Sequence, residues 1–415
     1  FYGITFGLPV FMIPLGWKDA SSIIMYSRLA VPEIRIDVLI IVALALAAFV
    51  AVFFASRKYI FFKLPRFRFP KSMDQSKIAP LLWVLLITHQ LYEFRPDVFG
   101  VYSAGQFLDP AGYVAFGGFY LFWRRRGLSR IEPLLLLVVF LPIELYLRLR
   151  FLLLTDLLFF LIFFAFLLWR EGNYKVLGLC AVLGFVVLTA YGTATAVRQP
   201  LNAGAVNILK TIKSYKILMI DDEDKMLHEG HQGKNDDPTI HYVFVGKFGS
   251  LTRRLSNIWI FHIVDDKTPA ELPHWNGSSY LPVFTAFIPR AIFPDKPEER
   301  IGHKFGSDYG FIRRADTHMS INLPWITELL VNFGKAGVIW GMALIGLFYA
   351  FLDRLFNAPN ATELETVIGL TLIFPLVYPE SNFSVMTGSM APLFVSLFIY
   401  FTGGAWILKR MGWGK

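Results

Sequence analysis

The residues best suited to chemistry fall between 281 and 334, in LPVFTAFIPRAIFPDKPEERIGHKFGSDYGFIRRADTHMSINLPWITELLVNFG. Arg290, Lys296, Arg300, His303, Lys304, Arg313, Arg314 and His318 are gathered there between proline breaks, in a chain that is otherwise lipid-soluble. Cations concentrated at a membrane face suit an anionic ligand. Arg290 and Lys296 each adjoin a proline, which fixes the local backbone. A guanidinium grips phosphate oxygens bidentately, and an ammonium adds a point charge. The pair could neutralise a phosphate-bearing anion. The plainer alternative is a loop salt bridge, such as Arg290 with Asp295.

A second constellation is THMSINLPWITELLVNFG. Pro324 suits the first turn of a helix whose unpaired N–H groups would face the Ser320 region. Glu328, Asn332 and Lys335 are spaced i, i+4 and i+7, which predicts one shared face. A carboxylate at that boundary could act as general base on an acceptor hydroxyl or orient it, with Asn332 and Ser320 as positioning groups. The plain reading of Glu328 is an ion pair or a helix-lining contact. His318 is the alternative base, since imidazole titrates near neutrality.

A third group consists of Arg148 and Arg150 in LYLRLRF, with Arg95 in YEFRPDVFG. All three are expected on the outer side, where topology does not call for positive charge. An ionisable group at a membrane boundary is costly unless it faces a cavity, a partner or a ligand. They read either as further diphosphate contacts, together with Arg254, or as snorkelling side chains paired with Glu93, Asp97 or Glu144. The run IDDEDKMLHEGH at 220–231 lacks both the His pair of zincins and the alternation of a calcium loop, so it reads as a solvated face. There is no glycine-rich nucleotide loop, no metal site is expected, and a leaving diphosphate neutralised by Arg and Lys does not require one.

These groups must be held by membrane helices. The chain of 415 residues is 55% hydrophobic and only 17% charged, which describes a polytopic membrane protein rather than one soluble core. With about 17–25 apolar residues needed to cross roughly 30 Å of hydrocarbon, the expected spans are 1–17, 36–55, 78–92, 109–123, 131–147, 151–169, 175–192, 336–353, 364–379 and 389–408. Alternating them puts the basic loops 56–77, 124–130 and 169–175 and the C-terminal tail on one side, expected to be cytoplasmic. The net charge of +9 is thereby assigned to topology rather than to nucleic acid. Loop 56–77 interleaves Phe and Lys/Arg in a way that suits an anionic leaflet.

The expected organisation is an N-terminal transmembrane bundle over 1–192, a large outer loop over 193–335 forming a helical cap, and C-terminal transmembrane helices over 336–415. Within the cap, 205–227 reads as amphipathic helix, 221–238 as a polar loop, and SLTRRLSNIWIFHIV as a second helix. Cys180, the only cysteine, lies within an apolar span. The opening run has neither a basic leader nor a cleavage site, so Phe1 reads as a truncation boundary.

IPRAIFPDKP at 288–297 and SINLPWITELLVNFG at 320–334 resemble the Pro-Arg, Asp-Lys-Pro and Glu-x(3)-Asn-Phe-Gly signatures of the O-antigen polymerase family. The resemblance covers roughly 250–345. It implies a C-type membrane glycosyltransferase fold and polymerisation of oligosaccharide repeat units carried on polyprenyl diphosphate, with inversion at the anomeric carbon. It also implies donor and acceptor glycans taken from the lipid phase at the periplasmic face of a bacterial inner membrane, with no nucleotide and no metal cofactor. A chain-length regulator is a further expected partner. An O-antigen ligase and a lipid-linked glycan flippase are the alternatives. The flippase would need polar residues through several spans, whereas here they cluster at one face.

Overall fold

The computed structural model describes residues 35–70, 75–95, 105–125, 131–149, 154–201, 257–286, 288, 293, 300–312, 319–357, 360–378 and 380–412. The expected span 1–17, the stretches 205–227 and 221–238, and Arg150, Arg254, Arg290, Lys296 and His318 lie outside the described residues. Among the described residues there is helix, turn and irregular chain, and no strand.

The helices are α1 Ile36–Ala55, continued by a wider turn over Ser56–Ile60, then α2 Gln75–Phe94 and α3 Gly105–Arg125. There follow α4 Ile131–Leu135 and α5 Leu141–Leu149, joined through a second wide turn, then α6 Leu154–Arg170 and α7 Tyr174–Leu201. Beyond 257 come α8 Ile258–Lys267, α9 Val283–Ala286, α10 Ile301–Asp308, α11 Trp325–Phe356, α12 Glu363–Ile373, α13 Phe383–Gly388 and α14 Met390–Arg410.

Every span expected from residue 36 onward overlaps helix, as an all-α chain requires. By length and apolar composition, three stretches among the described residues suffice to cross a membrane: Ile36–Ile60, Trp325–Phe356 and Phe383–Arg410. Most of the others are shorter or carry charge within them. Thus α6 has 17 residues, and α2 includes Lys77 and Glu93.

The chain forms two compact units, one made of Phe1–Leu128 with Ser256–Lys415 and the other of Ser129–Leu255. The expected boundary at 192 falls within α7, and the one at 335 falls beside Gly334, a non-helical residue inside α11. In the unit 129–255, α6 and α7 pack as an antiparallel pair joined by the tight turn at Gly172, whose φ of +68° favours glycine.

The axis of the other unit is α1 packed against α11. Gly346 allows the closest approach, since a Cβ there would come 2.5 Å from the Phe49 carbonyl oxygen. The Phe49 ring then meets Tyr349 edge-on at 5.3 Å. Ion pairs mark both ends and show that the helices run parallel: Lys335 with Asp37 at 3.0 Å, and Arg57 with Asp353 at 3.1 Å. Their outer faces carry Ile36, Ile40, Leu44, Trp340 and Leu344, all exposed. A continuous apolar face of this kind is suited to lipid.

Loop 61–70, expected on a leaflet, turns some of its aromatic side chains inward. Phe67 and Phe69 turn inward to Phe356, Phe394, Phe398 and Phe401. The Phe67 N–H donates to the Leu355 carbonyl at 3.0 Å. Buried aromatic rings contribute much apolar area, and of the loop's phenylalanines only Phe62 remains exposed.

Candidate functional site

The site is built on a reversal inside α11. At Gly334 the backbone takes φ 69° and ψ −169°, which breaks the helix. The preceding limb, 325–333, folds back along the following one. Leu329 lies where a Cβ on Gly341 would be, and Phe333 where one on Gly337 would be. The Trp325 ring is 6.1 Å from that of Tyr349. Glycines at 334, 337 and 341 therefore provide first the turn and then the smooth surface on which the short limb rests.

This reversal corrects the expected helix face. Glu328 and Asn332 lie on the buried limb, whereas Lys335 is the first residue of the spanning limb, 45% exposed and turned to Asp37 and Asp265. Leu329, next to Glu328, packs at Gly341, roughly 10 Å down the spanning limb at 1.5 Å per residue.

Glu328 and Asn332 are both 0% exposed. The Ser279 hydroxyl donates to Glu328 Oε1 at 2.6 Å, and the Phe383 N–H donates to Oε2 at 2.8 Å. Asn332 Nδ2 donates to Ser279 Oγ at 2.9 Å and to the Glu328 carbonyl at 2.8 Å, while its Oδ1 accepts from the Gly277 N–H at 2.8 Å. The reversal deprives the Val331 carbonyl of its helical donor, and the Trp275 N–H supplies one at 3.1 Å. The strip 274–280 is thus sewn to the short limb.

Both Glu328 oxygens accept from protein donors in a closed environment, which fixes the carboxylate in place. What it holds is the lead-in to the cationic segment: Tyr280 stacks on Phe333 at 6.0 Å, and α9 carries the chain to Ile288. Ser320 is exposed and packs against Gly302, where α10 begins. From α10, Lys304 Nζ sits 4.4 Å over the Trp275 ring, fastening that helix to the same strip.

An ion network surrounds the reversal. Arg35 donates to Asp37 at 3.0 Å and to Asp266 at 2.6 Å, and it also pairs with Asp265. Lys335 bridges Asp37 and Asp265 at 3.0 and 3.1 Å. Helices α1, α8 and α11 are clamped together in this way. Among the described residues no three His, Cys, Asp or Glu side chains are placed to hold a metal ion. The three aspartates here are already engaged by cations.

His262 lies beneath this network, its Nε2 3.7 Å from Asp266. Burial lowers its proton affinity, against the smaller opposing pull of Asp266. A histidine with a lowered folded pKa is neutral in both states at high pH, and stability is then full. As pH falls below about 6.5 the unfolded chain takes up the proton first, and stability is lost. The melting temperature in detergent is expected to fall from about pH 7 to pH 5, and His262→Leu to flatten that part of the profile. Identical profiles for the two proteins would remove His262 as the cause.

Among the other candidate arginines, Arg95 and Arg148 are described. Arg95 is exposed at the end of α2. Arg148, in the unit 129–255, pairs with buried Glu144 at 2.5 Å and lies 4.6 Å over the Phe160 ring. Of the two readings of Arg148, its surroundings favour pairing with Glu144. Sequence reasoning missed Ser279, Gly277 and the Arg35 network. Asn276-Gly277 was a usable signal, because both take positive φ in the tight turn that presents Ser279. No known family model matches the chain, nor does any curated protein or solved structure.

Proposed function

We propose that this chain is a membrane glycosyltransferase that polymerises polyprenyl-diphosphate-linked oligosaccharide repeat units at the outer face of a bacterial inner membrane. The growing glycan leaves its lipid diphosphate as a hydroxyl of the next lipid-linked unit attacks the anomeric carbon. The hydroxyl proton passes to a base, and the leaving diphosphate is stabilised by Arg290, Lys296 and Arg254. Lipid-linked donor and acceptor both arrive through the membrane, so nucleotide and metal have no part.

The observation that carries the reading is the buried network of Glu328, Ser279 and Asn332. A buried carboxylate is costly unless donors compensate it, and the donors of this one tie the strip leading into IPRAIFPDKP to the reversed limb. Cations serving topology alone need no such anchor. In this proposal Glu328 and Asn332 are positioning residues, Ser320 lies near the acceptor path, and His318 takes the proton.

The test is a reconstitution. Purified protein given lipid-diphosphate repeat unit alone should build a ladder of longer glycans. Arg290→Ala, at normal protein level, should reduce it at least about a hundredfold. A product that forms only when lipid A core is supplied would make the enzyme a ligase. No transfer under either condition would refute the glycosyltransferase.

A further inference from the structure

At the opposite end of α1 and α11 from Lys335, four arginines converge from three segments. Three of them are matched. Arg57 pairs with Asp353 at 3.1 Å. Arg68 donates to Glu365 at 2.7 Å and to the Asn360 carbonyl at 3.0 Å. Arg354 donates to the carbonyls of Leu64 at 2.9 Å and Phe62 at 2.5 Å. Arg66, half-buried between them, has no ion pair or hydrogen bond among the described residues. Burial, then Arg354 and Arg68, disfavours its charged form, and Asp353 compensates only in part. Arginine stays protonated regardless, so the local excess of positive charge persists.

We propose that this cluster is a seat for a phosphate-bearing anion, received by the Arg66 guanidinium and framed by Arg57, Arg68 and Arg354. The fork of a guanidinium matches two phosphate oxygens, and the three matched arginines hold the loop without using Arg66. Beside it, Tyr59, Ile60 and Phe62 are exposed, with Lys58 and Lys63 lying over the Tyr59 and Phe62 rings at 4.9 and 5.4 Å. Apolar side chains rimmed by cations suit the level of a bilayer where headgroup meets acyl chain. The two sources of such an anion are an acidic lipid headgroup and a soluble phosphate. The seat lies at the end of the helices away from the Glu328 network and does not rest on the proposed reaction.

The full chain reconstituted in phosphatidylcholine nanodiscs, with and without phosphatidylglycerol, tests this by thermal unfolding. Phosphatidylglycerol should raise the melting temperature of the wild-type protein, and titrating it should give an apparent affinity roughly tenfold weaker in Arg66→Gln. Arg66→Lys should fall between them, keeping the charge but not the fork. Arg410→Gln, a loss of one cation elsewhere on the chain, should match wild type. Inorganic phosphate added to phosphatidylcholine discs identifies the source: if it stabilises the wild type through Arg66, the occupant is soluble, and if only phosphatidylglycerol does, it is lipid. The proposal is overturned if neither stabilises, or if Arg410→Gln loses as much as Arg66→Gln.

Discussion

Gly334→Ala is expected to destabilise the protein by about 3 kcal/mol, one of the largest effects available from adding a single methyl group. The backbone there has φ 69° and ψ −169°, a region open almost solely to glycine. Relaxation is obstructed as well, because the new Cβ would lie 3.2 Å from the His274 ring, and His274 is itself held near the Val331 carbonyl. If the turn opens, the short limb leaves its bed on Gly337 and Gly341. Trp325, Ile326, Leu329, Leu330 and Val331, all now buried, then lose their contacts together. Gly403→Ala is the matched control, since nothing lies within 4 Å of a Cβ there, and within α14 it should be neutral or stabilise by up to about 1 kcal/mol. Melting curves followed by size-exclusion in detergent compare the two. If Gly334→Ala melts with wild type, the reversal is not a strained turn.

The same glycine shows how far the sequence could be read. Hydropathy anticipated helix where about twenty apolar residues run together, because such a run has few alternatives. It placed the start of a span at 336, where the apolar run becomes unbroken, and could not reveal that Trp325–Asn332 is equally enclosed. That limb contains Thr327, Glu328 and Asn332, and its polarity is satisfied by a strip some fifty residues earlier. Helical periodicity assumes a continuous helix, so the shared face of Glu328, Asn332 and Lys335 failed at the one residue that interrupts it. Non-local pairing has no signature in spacing. Arg35 meets Asp265 and Asp266 across more than two hundred positions, and only Asp37 is near it in the chain. The pairing of Arg148 with Glu144, by contrast, was legible, because i, i+4 partners on one helix are fixed by the sequence itself.

Substitutions at Glu328 separate holding from proton transfer. Glu328→Leu leaves the Ser279 hydroxyl and the Phe383 N–H without their acceptor in a closed core, at about 1–3 kcal/mol for each. It should therefore melt early and make little glycan. Glu328→Gln keeps the shape and one acceptor oxygen, which can still take the Phe383 N–H. Its amide can donate to Ser279 Oγ, so the loss should be about 1–2 kcal/mol. A positioning role requires the Gln protein to keep most of the wild-type ladder, with the same shape of rate against pH, because the titrating base lies elsewhere. A general base requires the reverse: a folded Gln protein with no turnover, since an amide cannot take the proton. Comparing melting and ladder formation across the two variants therefore assigns Glu328. Stability and activity falling together in Leu and surviving together in Gln marks an anchor, whereas a stable, inactive Gln protein would make Glu328 the base despite its closed surroundings.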